Sequence, residues 1–170
     1  MGDQLTFYCP RCWKEVPDGA QVCSHCQASL EGITNEKFFD KLIDALRHPV
    51  SAQAAFAAQT LGWLGNWRAV EPLLGTLGRT RDPEVQEAVI RSLGMLGDAR
   101  AVSVLDGFLE DEKMFLTLRI AAVEALGQIG GEQAIAVLNR NASHDDRTVA
   151  RAAREVLNAI KSKGLIVGDR

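Results

Sequence analysis

A five-residue stretch, Leu61-Gly62-Trp63-Leu64-Gly65, returns as Leu93-Gly94-Met95-Leu96-Gly97 and again as Leu126-Gly127-Gln128-Ile129-Gly130. A degraded fourth copy, Leu157-Asn158-Ala159-Ile160, closes the series. The leading leucines are 32, 33 and 31 residues apart. That period is too long for one helix or hairpin and fits a two-helix unit stacked in a row. Stacked helix pairs bury a core between neighbours and leave long faces open to partners.

The segments between the copies read as eight amphipathic helices. The first of each pair covers about 36–47, 68–79, 100–110 and 132–141, and the second about 51–64, 84–96, 115–129 and 147–161. In the second pair Val70, Leu73, Leu74 and Leu77 share one face and can meet Val85, Ala88, Val89, Leu93 and Leu96. In the third, Val102, Leu105 and Phe108 stand against Leu118, Ala121, Ala122, Leu126 and Ile129. Pro49 and Pro83 suit the first turn of a following helix, where a missing N–H costs little, and Thr34 or Asn35 can cap the first helix. Gly62, Gly94 and Gly127 fall inside helices, at about 1 kcal/mol each relative to Ala. A cost met three times at one register predicts close helix packing there. Gly65, Gly97 and Gly130 follow the last apolar residue, where a left-handed residue ends a helix. Neither role calls for a phosphate, since no strand precedes these glycines and they close helices rather than open them.

All four cysteines lie before residue 27, as Cys9-Pro10-Arg11-Cys12 and Cys23-Ser24-His25-Cys26. Two pairs at i and i+3 can turn four sulfurs onto one ion in the tetrahedral shell of a structural Zn²⁺ site, and iron in the same shell is the chemical alternative. Trp13-Lys14-Glu15-Val16 alternates like a strand, Pro17-Asp18-Gly19 signals a turn, and Ala20-Gln21-Val22 runs back, so a hairpin is expected. Residues 7–30 resemble the short zinc-ribbon module. Many such ribbons carry Gly after the second Cys of each pair, where this chain has Trp13 and Gln27. His25 sits inside a pair and reads as a solvent-facing knuckle residue.

The repeats themselves resemble the HEAT family, specifically the short repeats known from phycobilisome lyases. The likeness rests on Ala69-Val70-Glu71-Pro72-Leu73-Leu74 with Asp82-Pro83-Glu84-Val85 and Ala88, and on Leu118-Arg119-Ile120-Ala121-Ala122-Val123-Glu124-Ala125-Leu126-Gly127. It implies a mainly α fold: a solenoid of four HEAT-like helix pairs over 36–161, preceded by a zinc-ribbon β-hairpin module at 1–31 and followed by a tail at 162–170. The family's bracing Arg is kept at Arg119, while Gln86 and Ala150 replace it, so those two repeats are expected to lack the turn contact it makes. The resemblance also implies that the second helices line the concave side. Their exposed stripes then read Ala55-Gln59-Trp63, Glu87-Arg91-Met95, Ile120-Glu124-Gln128 and Arg151-Glu155-Ala159. Trp63, Met95 and Ile120 are candidate partner anchors on an otherwise polar face. Trp67 is expected either as an unusual turn residue or in the core.

Chemistry is scarce. Ser143-His144-Asp145-Asp146 reads as a capped turn, because adjacent residues do not make a triad. The His-Glu pairs that hold iron in HEAT-type deoxyhypusine hydroxylases are missing, and no lone Cys or His on a repeat helix presents itself to a bilin. A formal charge of −3 and pI near 5.6 oppose general binding to nucleic acid. The last helix is the exception, with Arg147, Arg151, Arg154, Lys161 and Lys163 against Glu155. No apolar run is long enough to span a bilayer and the start lacks a signal-peptide pattern, so a cytoplasmic protein is expected. These observations predict a non-enzymatic adaptor that binds another protein through Gln59, Trp63, Glu87, Arg91, Met95, Ile120, Glu124, Gln128, Arg151 and Glu155. Its structural zinc would sit on Cys9, Cys12, Cys23 and Cys26. The alternative is an accessory lyase or chaperone for a bilin-like cofactor; a nucleic-acid role through the ribbon ranks behind both.

Overall fold

The computed structural model describes residues 7–9, 11–17, 20–30 and 35–162. The expected Asp18-Gly19 turn, the Thr34 cap, Lys163 and the rest of the tail lie outside the described residues. The chain forms two compact units, Met1–Leu42 and Ile43–Arg170.

In the first unit, β1 (Phe7–Tyr8) pairs antiparallel with β2 (Glu15–Val16) in the register Phe7 to Val16 and Tyr8 to Glu15. This differs from the hairpin expected around Pro17. Each Cys pair is closed by its own backbone bonds, which force the flanking residues to run antiparallel. Around the first pair, the Trp13 N–H donates to the Cys9 carbonyl (2.8 Å) and the Cys9 N–H to that of Lys14 (2.8 Å). Around the second, Gln27 donates to Cys23 (3.0 Å) and Cys23 to Ala28 (2.9 Å), with Val22 bridged to Ser29. The unit's small core is Cys9, Val16 and Cys23, with Cys12, Ala20, Cys26, Ala28 and Leu30 packed on it. Helix α1 (Asn35–Ala45) starts here and crosses into the second unit; its Phe38, Phe39 and Leu42 are buried.

The second unit continues with α2 (Ser51–Leu64), α3 (Val70–Arg79), α4 (Pro83–Leu96), α5 (Val102–Glu110), α6 (Leu116–Ile129), α7 (Gly131–Asn141) and α8 (Arg147–Ser162). Helices α2, α4, α6 and α8 pack successively in one layer, while α3, α5 and α7 each pack on the helix that follows them. Val70, Leu73 and Leu77 are buried on α3 and Val102, Leu105, Phe108 and Leu109 on α5, as the 3.6-residue spacing predicts. Each such side chain contributes about 2 kcal/mol through removal from water.

Capping chemistry sets the boundaries. Pro83 is the first residue of α4, behind Asp82, whose carboxylate accepts the N–H of Glu84 (2.9 Å) and Val85 (3.4 Å). Pro49 instead precedes the extended cap residue Val50 and stays outside α2. Two short 3-10 turns, Trp67–Ala69 and Ala99–Ala101, lead into α3 and α5. They form because Asn66 and Asp98 accept the N–H two residues on, at 3.0 and 2.9 Å.

The repeated glycines behave as predicted at the joints. A Cβ on Gly62 would lie 2.9 Å from the Ser92 Cα, and one on Gly94 would lie 2.8 Å from the Ala125 Cα. On Gly127 it would collide with Val156. Gly65 and Gly97 take the left-handed conformation that ends a helix. Gly130 departs from that expectation: at φ 63° and ψ −156° it is not left-handed helical, and α7 begins at the next residue. The missing spacer explains this, since the chain must reverse between two helices across Gly130-Gly131 alone.

Candidate metal centre and helix face

Cys9, Cys12, Cys23 and Cys26 bring their four sulfurs within 4.8 Å of one another, and among the described residues no other group of metal-ligating side chains converges. The Sγ atoms of Cys9 and Cys26 are 3.6 Å apart, as are those of Cys12 and Cys23. A tetrahedral Zn–S shell with bonds of about 2.3 Å has S–S edges of about 3.8 Å, so the sulfurs fit such a centre. The backbone N–H groups of Arg11 and His25 each point at a sulfur, Cys9 and Cys23 respectively, at 3.4 Å. The ring of His25 is exposed and contributes no ligand atom to the group. Trp13 and Gln27 adopt φ of 59° and 57°, the left-handed conformation that glycine takes more cheaply. The knuckle bonds to Cys9 and Cys23 hold them there at a cost of about 1–2 kcal/mol each.

The four crowded thiols differ in how readily they give up their protons. Burial works against the Cys23 thiolate, but the N–H donors of Cys26 and His25 and the thiols of Cys9 and Cys12 outweigh it and bring Cys23 down to about 6. The Lys14 N–H favours the Cys12 thiolate, yet burial and the other three thiols push Cys12 up to about 12. An ion would replace this difference with four thiolates.

The stripe along the second helices is largely open. Trp63 is 61% exposed and Met95 is 45% exposed, at equivalent positions on the packed helices α2 and α4. Gln59, Glu124, Gln128, Arg151 and Glu155 are exposed, while Ile120 is half-buried and Ala55 is buried. Arg91 ties α4 to α6, donating to Glu87 (3.0 Å) and to Glu124 (2.9 Å). Partial burial opposes its charge, but the two carboxylates outweigh this and raise its pKa above the ordinary arginine range. Gln128 extends over Gly94 at the same joint, and Arg151 pairs loosely with Glu155 at 3.8 Å. Trp67 does not join the core; it is 69% exposed on its 3-10 turn.

Arg119 and its equivalents correct another expectation. The Arg119 side chain is buried and donates to the Leu109 carbonyl (3.4 Å) and to the Asp146 carboxylate (3.3 Å), with His144 Nε2 3.0 Å away. Asp146 caps α8 through the N–H groups of Thr148 (2.8 Å) and Val149 (3.4 Å), so Ser143–Asp146 is the capped turn expected. Gln86 does not leave its turn unbraced: it is buried, and its amide donates to the Thr80 carbonyl at 3.3 Å. No motif announces a further feature, a cavity of about 290 Å³ between the loops that precede α2 and α4. The signal for it is Ala54, which stands in the register of Arg119.

Residues 39–117 match the family of HEAT repeats, and residues 118–144 match the PBS lyase HEAT-like repeat. The chain is similar to a phycocyanobilin lyase subunit alpha from Picosynechococcus sp., 35% identical over 111 residues that cover 59% of this chain and 41% of that one. It is also similar to the bilin biosynthesis protein PecE of Mastigocladus laminosus, 37% identical over 93 residues, 55% of this chain and 32% of that one. The chain thus spans less than half the length of either relative. Among solved structures it resembles one from the complex of CpcE and CpcF of phycocyanin lyase from Nostoc sp., with a TM-score of 0.61 and 28% identity over 76% of this chain and 55% of that one. An engineered protein at 22% identity and a TM-score of 0.51, covering 73% of this chain and 62% of its own, shares the fold. These relatives overturn the expectation of a non-enzymatic chain. That expectation rested on the lack of a self-contained catalytic constellation, and a protein named as a subunit of a lyase need not carry one by itself. Among the described residues no helix is long and apolar enough to cross a membrane. Its repeats, their stacking and the matched segments together place this chain in the HEAT-repeat family, with a repeat of the PBS lyase HEAT-like kind.

Proposed function

We propose that this chain is a component of a bilin-handling assembly, a lyase subunit or an accessory chaperone, that works with a second polypeptide. The observation that carries this reading is the 35% identity over 111 residues to a phycocyanobilin lyase subunit, which falls on a chain whose second helices leave a long face open. The structural relative is a lyase component in complex with another chain, and that supports a protein partner here. Residues 36–161 act as the solenoid and residues 1–31 as a separate module. Gln59, Trp63, Glu87, Arg91, Met95, Ile120, Glu124, Gln128, Arg151 and Glu155 form the contact face, with Trp63 and Met95 as its apolar anchors.

The ion of the cysteine centre is zinc, held by four thiolates as a structural site. Closed four-sulfur shells leave no position for a reacting water, and a module with so small a core needs the ion to fold. Iron in the same shell would announce itself by visible charge-transfer bands.

The reading is tested by mixing the purified chain with phycocyanobilin and recording the visible spectrum. A red shift or sharpening of the bilin band, enhanced by the co-purifying partner, is the expected result. An unchanged spectrum with and without that partner would overturn the bilin reading.

A further inference from the structure

Seven residues before the leading leucine of each repeated stretch, the second helices carry Ala54, Gln86, Arg119 and Ala150. In α6 the residue is Arg119, and its guanidinium fills the space between the end of α5 and the loop before α8. In α2 the residue is Ala54, and the corresponding space is the 290 Å³ cavity, bounded by Arg47, His48, Ser51, Arg79 and Asp82. With Ala54 in the register of Arg119, no guanidinium from α2 fills the space at this joint.

The lining has one carboxylate, and its charge is already engaged. Asp82 accepts the Ser51 hydroxyl at 2.5 Å as well as the two N–H groups that it caps on α4. These bonds, the Ser51 hydroxyl foremost, hold its carboxyl below the ordinary range. Arg47 and Arg79 line the same cavity without such engagement. Arg79 donates to the Thr76 hydroxyl at 3.3 Å, and among the described residues neither Arg47 nor Arg79 is ion-paired. His48 accepts the Val50 N–H on Nδ1 at 3.0 Å. The neutral ring therefore carries its proton on Nε2, which makes that atom a donor. A cation like the one that plugs the α6 joint would meet Arg47 and Arg79 here, whereas an anion would find two unpaired guanidinium groups and an imidazole N–H. Guanidinium forks match planar, two-oxygen anions best.

We infer that this cavity binds a carboxylate group of the ligand that the chain handles. In naming the carrier as a tetrapyrrole, through one of its propionates, the inference rests on the function proposed above; the carboxylate site itself does not. The volume suits a carboxylate with a short aliphatic arm rather than a whole tetrapyrrole. Chain-derived residues alone create the selectivity: Arg47 and Arg79 supply charge, His48 supplies a directed donor, and Ala54 supplies room.

The experiment is a titration of the full chain followed by amide and imidazole NMR, with glutarate as the first probe and dimethyl glutarate as its uncharged control. Glutarate is expected to shift the His48 ring and the Ser51 and Ala52 amides saturably, and the diester to leave them in place. Arg47→Gln/Arg79→Gln, two changes at exposed side chains, is expected to weaken the response at least tenfold; Ala54→Arg, which refills the cavity, should abolish it. No saturable shift, or one that survives Arg47→Gln/Arg79→Gln, would overturn the site. Phycocyanobilin and its dimethyl ester then identify the carrier. Shifts of the same resonances by the free acid alone support a propionate. Bilin binding that leaves His48 unmoved overturns the tetrapyrrole carrier while sparing the proposed function. A response to glutarate with no bilin binding at all sustains the carboxylate site and counts against that function.

Discussion

A methyl group on Gly94 would come within 2.8 Å of the Ala125 Cα, while one on Gly78, also inside a helix, would meet nothing within 4 Å. Gly94→Ala therefore gains about 1 kcal/mol of helix propensity but must force two backbones apart, and a net loss of roughly 1–2 kcal/mol is expected. Gly78→Ala keeps the gain and should stabilise by about 0.5–1 kcal/mol. Thermal unfolding of the two variants, moving in opposite directions from the parent, checks this pair. Asp82 offers a second test. Its carboxyl is held down by the Ser51 hydroxyl and by the α4 N–H groups, so its contribution is complete above the unfolded carboxylate range near pH 4 and fades as pH falls through the lower folded value. Asp82→Ala is expected to cost about 1 kcal/mol at neutral pH, and the difference from the parent should shrink in urea melts at progressively lower pH. The glycine packing is legible at this scale because a helix-weakening residue repeated at one register in three units is tolerable only where a neighbouring helix needs the space, its backbone at Gly62 and Gly94 and the Val156 side chain at Gly127. The bracing by Gln86 is not: a letter that departs from the family pattern hides the fact that an amide can reach across the same turn.

Single elements are legible almost to the residue where caps and prolines announce them, as at Asp82-Pro83. They are obscure where closure is non-local. The strand at Glu15–Val16 pairs with Phe7–Tyr8 because the cysteine knuckle between them imposes the reversal, and no turn signal records that constraint. The metal spacing itself is fully visible, since i, i+3 pairs of cysteines carry their own geometry. The proposed zinc is tested at this scale. Chelation, or Cys12→Ser/Cys26→Ser, is expected to release one zinc per chain and to collapse the dispersed NMR signals of residues 7–30. The far-UV signal of the helices should be largely preserved, because the solenoid has its own core of buried leucines. A chain that is metal-free as purified yet keeps those dispersed signals would contradict a structural ion.

For the whole molecule, architecture and activity are legible to different degrees. A period of about 32 residues names a stacked fold outright. Under the function proposed above, whether the stack serves a lyase depends on what assembles on it, and no local motif in the sequence records that. On the proposed reading, Trp63→Glu/Met95→Glu should abolish co-purification of a native partner and leave helicity intact. Retention of the partner would sink the role of this face, although Arg91 and its two glutamates would still link α4 to α6. Both replaced side chains are exposed, so with helicity intact a lost partner could not be blamed on unfolding.

The glycine contacts that join α2 to α4, α4 to α6 and α6 to α8 fall at one register used three times, against backbone at the first two joints and against the Val156 side chain at the third. A fastening that repeats makes length a free variable. A further unit of roughly 32 residues can be spliced between two joints and will find the same seat on either side, whereas an insertion of half that length would present a helix's charged flank to a glycine. Growth and shortening of such proteins should therefore come in whole repeats, and the ends of the row, rather than its interior, should be where relatives differ in length.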